Sequence, residues 1–145
     1  MMLKYLPNGN LVPGIHEISW AEFVNEYGYT MERRDIIDGI ALAIEHLSIC
    51  GCDTIYIDGS FVTKERNPSD FDACWNNIDR SIDFQELYIK YRILSLGSKE
   101  EQQMKYKGDI RPAACPAEEW GRLYIHFFQA DKHDNSPKGI IKLSI

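Results

Sequence analysis

The sequence predicts an α+β (mixed α/β) domain: one mostly antiparallel mixed sheet of about five strands, with helices packed on it. Three observations carry this. Apolar residues recur at helical spacing in two stretches, Ile36, Ile37, Ile40, Ala43, Ile44 and Leu47 in one and Phe84, Leu87, Tyr88, Tyr91 and Leu94 in the other. Short β-branched or aromatic runs stand at 54–57, 71–75, 123–129 and 139–145. The predicted order is helix-helix-strand-strand-helix-helix-strand-strand-strand, which places helices against a sheet. With 145 residues the chain is read as one domain, 1–145.

Residues 1–18 hold Pro7, Gly9, Pro13 and Gly14 and predict an irregular arm with room for a short extended piece. Ser19 and Glu22 form a capping box that opens a short helix, stopped at Gly28. A longer helix covers 30–50 and ends at Gly51. Arg33 and Arg34 fall in its first turn, where cations oppose the helix dipole, and they are read as surface positions. Strands follow at 54–57 and 71–75. The link between them is too short for a crossover helix, so they are antiparallel neighbours with at most one helical turn after Ser60.

A helix is predicted over 81–96, ended by Gly97. Ser98 and Glu101 make a second capping box for a short helix to about 107. A short strand begins at Asp109 and stops at Pro112. Strands at 123–129 and 139–145 are read as a hairpin with a long loop.

The chain carries a net charge of −6, and a balance that acidic disfavours an extended nucleic-acid footprint. Trp20, Trp75 and Trp120 are read as packing residues rather than a base-stacking platform. No apolar run is long enough for a membrane span, and no basic-then-apolar leader stands at the start. Cys50, Cys52, Cys74 and Cys115 contain no CxxC spacing, so they read as reduced thiols and not as a zinc knuckle. Together these predict a cytoplasmic protein without a membrane partner.

The chemistry concentrates between 56 and 72. An apolar run breaks at Gly59-Ser60, passes through a loop containing Thr63, Lys64, Arg66 and Pro68, and ends at Asp70-Phe71-Asp72. On a strand Asp70 and Asp72 share one face. Two adjacent carboxylates repel unless a proton or cation separates them. A Gly-Ser turn lets backbone approach an anion. A cation site beside an anion site predicts metal–phosphate chemistry. No GxxxxGK[ST] loop is present, which argues against an ATPase of that type.

Gly59-Ser60, nine residues, then Asp70-x-Asp72 resembles the signature of the nucleotidyltransferase fold shared by the DNA polymerase beta superfamily. In that family the Gly-Ser follows one strand, two acidic residues sit on the next, and a third comes from a later strand. The size resembles the minimal bacterial nucleotidyltransferases, some of which act as antitoxins. The Pro-Gly-Ile-His arm together with Asp58-Gly59-Ser60-Phe61-Val62-Thr63 also resembles a small, poorly characterised bacterial family near that superfamily.

The resemblance implies Mg²⁺ (or Mn²⁺) held by Asp70, Asp72 and a third carboxylate. Asp109 is assigned that place ahead of Asp131 and Glu118, which fall in loops. It implies a nucleoside triphosphate bound near Gly59, Ser60, Thr63 and Lys64. Transfer of a nucleoside monophosphate to a hydroxyl on a protein, an RNA or a small molecule would follow, within a toxin–antitoxin or defence module. The alternative is an inactive binding protein of the same fold that holds a protein partner. One departure stands out: Phe61-Val62-Thr63 follows the Gly-Ser, where many minimal members have small and basic residues leading to another glycine.

Overall fold

The computed structural model describes residues 2–78 and 82–145, the side chains of 95 and 96 excepted. Among the described residues five strands form one mixed sheet in the order β1-β5-β2-β3-β4. They are β1 Gly14–Glu17, β2 Thr54–Asp58, β3 Phe71–Trp75, β4 Gly108–Pro112 and β5 Gly139–Ser144. The helices are α1 Trp20–Tyr27, α2 Met31–Ile49, α3 Phe84–Lys90, α4 Ile93–Leu96, α5 Lys99–Tyr106 and α6 Tyr124–Phe127. A 3-10 turn spans Ser60–Val62.

Local chemistry sets the helix ends. Ser19 Oγ accepts from the Glu22 amide at 3.1 Å while Glu22 Oε1 accepts from the Ser19 amide at 3.0 Å. Ser98 and Glu101 repeat the box at the start of α5. Helices α1–α5 pack on one face of the sheet. There Phe23, Ile40 and Leu47 meet Ile55, Ile57, Ala73, Trp75 and Ile110, all fully buried. Helices α2 and α5 approach closely at Gly39, where a Cβ would lie 1.9 Å from the Tyr106 carbonyl oxygen.

Several expectations are corrected. The sheet is not mostly antiparallel: β2 pairs antiparallel with β3 and β5, but β1–β5 and β3–β4 are parallel. The connection holding α3–α5 is long enough for the crossover that a parallel β3–β4 pair needs. Residues 14–17 of the N-terminal arm are strand β1, because they complete the outer side of β5.

The predicted strand over 123–129 is absent, and α6 stands there. Phe127 N donates to Leu123 O at 2.8 Å and Phe128 N to Tyr124 O at 3.0 Å. The aromatic residues favour a strand only where a pleated neighbour exists to pack on. Here β1 and β2 already occupy both sides of β5. The Tyr124, Phe127 and Phe128 rings pack on one another instead, with centroids 5.7–6.4 Å apart. The terminal hairpin falls with that strand.

The helix predicted over 81–96 is two helices; its first residue, Ser81, lies outside the described residues. Its break at Tyr91 lets that ring stack on His46, centroids 4.6 Å apart. Trp120 does not pack in a core; it is 78% exposed. No helix of the described residues is long and apolar enough to cross a membrane.

Candidate functional site

The face of the sheet opposite α1–α5 carries the acidic residues. Register explains why they align. Asp58 pairs with Asp72 across β2–β3, and Asp72 pairs with Asp109 across β3–β4. Directly paired residues project to the same side, so three carboxylates form one row across three strands. The adjacent row on that face holds Lys142, Tyr56, Cys74 and Arg111. A small cluster of Cys74, Ala113, Phe128 and Ile140 buries the face beside the carboxylates.

Each carboxylate meets a different fate. Lys138 Nζ lies 2.9 Å from Asp58 Oδ1, and Arg111 Nε lies 2.9 Å from Asp109 Oδ1. Both are close ion pairs. Asp70 precedes β3 and accepts a 2.6 Å hydrogen bond on Oδ2 from Gln103 Nε2 of α5. None of the ion pairs or hydrogen bonds of the described residues ends on the Asp72 carboxylate. Burial pushes its pKa up to about 7, helped by the charges of Asp58, Asp70 and Asp109. Burial likewise raises the Asp58 carboxyl from its ordinary value, against the pull of Lys138.

Gly59 turns the chain beside Asp72. Its φ of +85° lies in the left-handed region, and a Cβ there would stand 2.7 Å from Asp72 Oδ2. Glycine is therefore required twice, once for the turn and once for the close approach. Ser60 opens the 3-10 turn that follows. Thr63 Oγ1 donates to Ser60 O at 2.7 Å and closes that turn. Lys64 does not join the carboxylates: its ammonium stands 4.3 Å from the centre of the Tyr5 ring. Glu118 is bound by both arms of Arg122 at 2.7 Å, and Asp131 is held by Asn10 and the His133 amide.

Arg33, expected at the surface, is fully buried. Its guanidinium donates to the carbonyls of Tyr27, Phe61, Thr63 and Glu65, and it stacks on the Tyr29 and Phe61 rings. These bonds fix the loop that leaves the Gly-Ser turn. That explains Phe61-Val62-Thr63: Phe61 and Val62 are core residues, and the Phe61 and Thr63 carbonyls are arginine acceptors.

Sequence reasoning missed Asp58, Lys138, Arg111 and Gln103. For Asp58 a signal existed, since an antiparallel 54–57/71–75 pair brings the residue before Gly59 opposite the Asp-x-Asp. For Lys138 no local pattern points to the row.

Among the described residues no three acidic, imidazole or thiol groups converge as arranged to cage a metal ion. Mg²⁺ asks less of a protein: one or two carboxylates, with water and substrate phosphates completing the shell. Asp70 and Asp72 meet that need in donor chemistry, and the Asp72 carboxylate, reached by no ion pair or hydrogen bond of the described residues and crowded by Asp70, is the observation that fits a cation. Two surface cavities of about 220 and 300 Å³ lie elsewhere, lined by residues such as Glu22 and Asn25 or Lys90 and Lys105. Neither touches the carboxylate row.

Residues 3–144 match the model of a family described as a family of unknown function (DUF6932). No curated protein and no solved structure matches the chain.

Proposed function

The chain belongs to that family of unknown function, and from its geometry we propose that it is a metal-dependent nucleotidyltransferase. One observation carries the reading: a half-buried carboxylate, Asp72, reached by no ion pair or hydrogen bond of the described residues, is pressed against a Gly-Ser turn and flanked by Asp70 and Asp109. A structural carboxylate would be neutralised or hydrogen-bonded. This one is left for a cation that arrives from outside.

The residues divide as follows. Asp70 and Asp72 hold the cation, with Asp109 beside them. When bound, Mg²⁺ would offset the charge that develops on the phosphates. Gly59 leaves room for a phosphate to approach the backbone, and Ser60 offers a hydroxyl donor. The proton of the attacking hydroxyl passes to solvent. The acceptor hydroxyl bonds to the α-phosphorus as the bond to the bridging oxygen breaks, and pyrophosphate leaves. The acceptor is a protein, an RNA end or a small molecule, in the cytoplasm.

The test is label transfer. Purified protein is incubated with Mg²⁺, each labelled ribonucleoside triphosphate and cell lysate, alongside Asp70→Ala/Asp72→Ala. Transfer by the wild type that the variant lacks supports the enzyme. If no triphosphate is transferred or bound in a Mg²⁺-dependent way, the reading is wrong. A second reading, a silent binding protein that holds a partner such as a toxin, is favoured by one feature. Lys138 and Arg111 already neutralise two of the row's carboxylates.

A further inference from the structure

We propose that Lys138 is the phosphate-binding cation of this site, a role for which the sequence offers Lys64 or Arg66. The inference rests on the nucleotidyltransferase reading and adds to it the residue that receives the triphosphate.

Topology puts Lys138 at the right edge. In the β2–β5 register Ile57 pairs with Ile141. Three residues further along β2 is Ser60, and three residues back along β5 is Lys138. The Gly59-Ser60 turn and Lys138 therefore leave the sheet at neighbouring ends. Strands β3 and β4 begin at that same edge, with Asp70 just ahead of Phe71.

Side-chain contacts agree. The Lys138 ammonium lies 2.9 Å from Asp58 Oδ1, and its side chain is 14% exposed. Asp58 is in turn the cross-strand neighbour of Asp72. One carboxylate contact leaves an ammonium two further N–H donors, since it carries three. The contact holds the long side chain against the row and removes rotamer freedom before any ligand binds. Lys64 is turned to Tyr5, and Arg111 is tied to Asp109 and to the Gly97 carbonyl. A triphosphate brings about four negative charges to a protein whose own net charge is −6. A cation already lodged beside the Gly-Ser turn offsets part of that repulsion.

The proposal separates Lys138 from Asp58. Asp58 holds the lysine and does not itself meet the ligand. Removing Lys138 alone would strand a buried carboxylate, so the informative variant is Asp58→Asn/Lys138→Met, which removes the pair together. Binding is read by calorimetry with magnesium tripolyphosphate, a probe independent of base, and with each ribonucleoside triphosphate.

The double variant should bind at least about tenfold more weakly than wild type, as expected for loss of a charge-assisted contact. Asp58→Asn alone, which keeps the ammonium but loosens its anchor, should weaken binding by clearly less than the double variant, and Lys138→Arg should stay within about threefold. Wild-type affinity in the double variant overturns the assignment. So does a loss in Asp58→Asn equal to that of the double variant, or a larger loss in Lys64→Met. If folded wild-type protein binds neither tripolyphosphate nor any triphosphate, the nucleotidyltransferase reading itself fails and Lys138 falls with it. Transfer activity retained by both wild type and the double variant removes Lys138 alone.

Discussion

Arg33 is a buried charge and Asp72 a half-buried one, and the protein treats them in opposite ways. Arg33 has no carboxylate partner, yet four backbone carbonyls and two rings surround it. Asp72 has three carboxylates around it and neither a hydrogen bond nor an ion pair among the described residues. Buried charge costs several kcal/mol unless local partners answer it. At Arg33 the fold supplies those partners, so the cation is part of the architecture. At Asp72 three carboxylates raise the cost, and Lys138, paired with Asp58, offsets only part of it. The two lie at opposite ends of one short segment: Arg33 anchors the loop leaving the Gly-Ser turn, and Asp72 faces the turn itself. Rigidity on one side serves an open charge on the other.

The comparison breaks most visibly at Arg33. Replacing it with Met leaves the carbonyls of Phe61 and Tyr27 buried without a donor. The expected loss is roughly 3 kcal/mol, read from urea denaturation. Arg33→Lys should recover only a fraction, because one ammonium cannot reproduce the planar fork that spans four carbonyls. Burial lowers the Arg33 pKa from its ordinary value, but a guanidinium keeps its proton at any working pH. Its contribution should therefore be the same at pH 5 and pH 8. A loss below about 1 kcal/mol would mean that water replaces the guanidinium at these carbonyls.

These two charges also differ in how far they could be read from the chain. The acidic stretch was legible because its logic is local. Two adjacent strands joined by a short link must pair antiparallel, and the period of two then fixes which aspartates share a face. Asp109 could be placed near a strand start because glycine and proline bracket the segment, although Lys107 and not Gly108 takes the left-handed cap of α5 and Gly108 already belongs to β4. Arg33 could not be read, since its acceptors lie 28–32 residues away on a loop with no pattern of its own. The place of β5 was hidden for a similar reason. It pairs in parallel with β1, matching Ile15 to Ile140, and sequence periodicity carries no trace of so distant a partner. Lys138 inherits that blindness, because only the position of β5 brings it to the row. The run at 123–129 misled because its aromatic and branched residues record what would fit a sheet, and β5 had no free side to offer.

The Asp72 half is sharpened by pH. Its folded pKa of about 7 lies above the ordinary 3.8, so the folded protein holds a proton that the unfolded chain has lost. Stability contributed by this group is therefore lost as pH rises from about 4 to 7, and the full penalty stands above that window. Asp72→Asn removes it. At pH 8 in chelator the variant should be more stable than wild type by on the order of 2 kcal/mol, and the gap should close by pH 4. Adding Mg²⁺ at pH 8 should narrow the gap by stabilising the wild type alone. A variant no more stable than wild type at pH 8 would show that Asp72 is answered by some group after all, and its contrast with Arg33 would collapse.

The smallest effect isolates the contact between Asp72 and the turn. Gly9 and Gly59 share a positive φ, +92° and +85°. Their surroundings differ. A Cβ at Gly9 would meet nothing nearer than 3.8 Å, whereas at Gly59 it would stand 2.7 Å from Asp72 Oδ2. Alanine at either position incurs the left-handed backbone penalty of about 1 kcal/mol. Gly59→Ala should cost about 1 kcal/mol more than Gly9→Ala, because the carboxylate must move. In an Asp72→Ala background that excess should vanish, since the crowding oxygen is gone and the two sites are in direct contact. Thermal or urea unfolding of the five variants measures all of it. Equal costs at the two glycines would mean that Asp72 can swing aside freely. A carboxylate that swings freely is not held for a ligand, so this small difference bears directly on whether the row is a site or only a strained edge of the sheet.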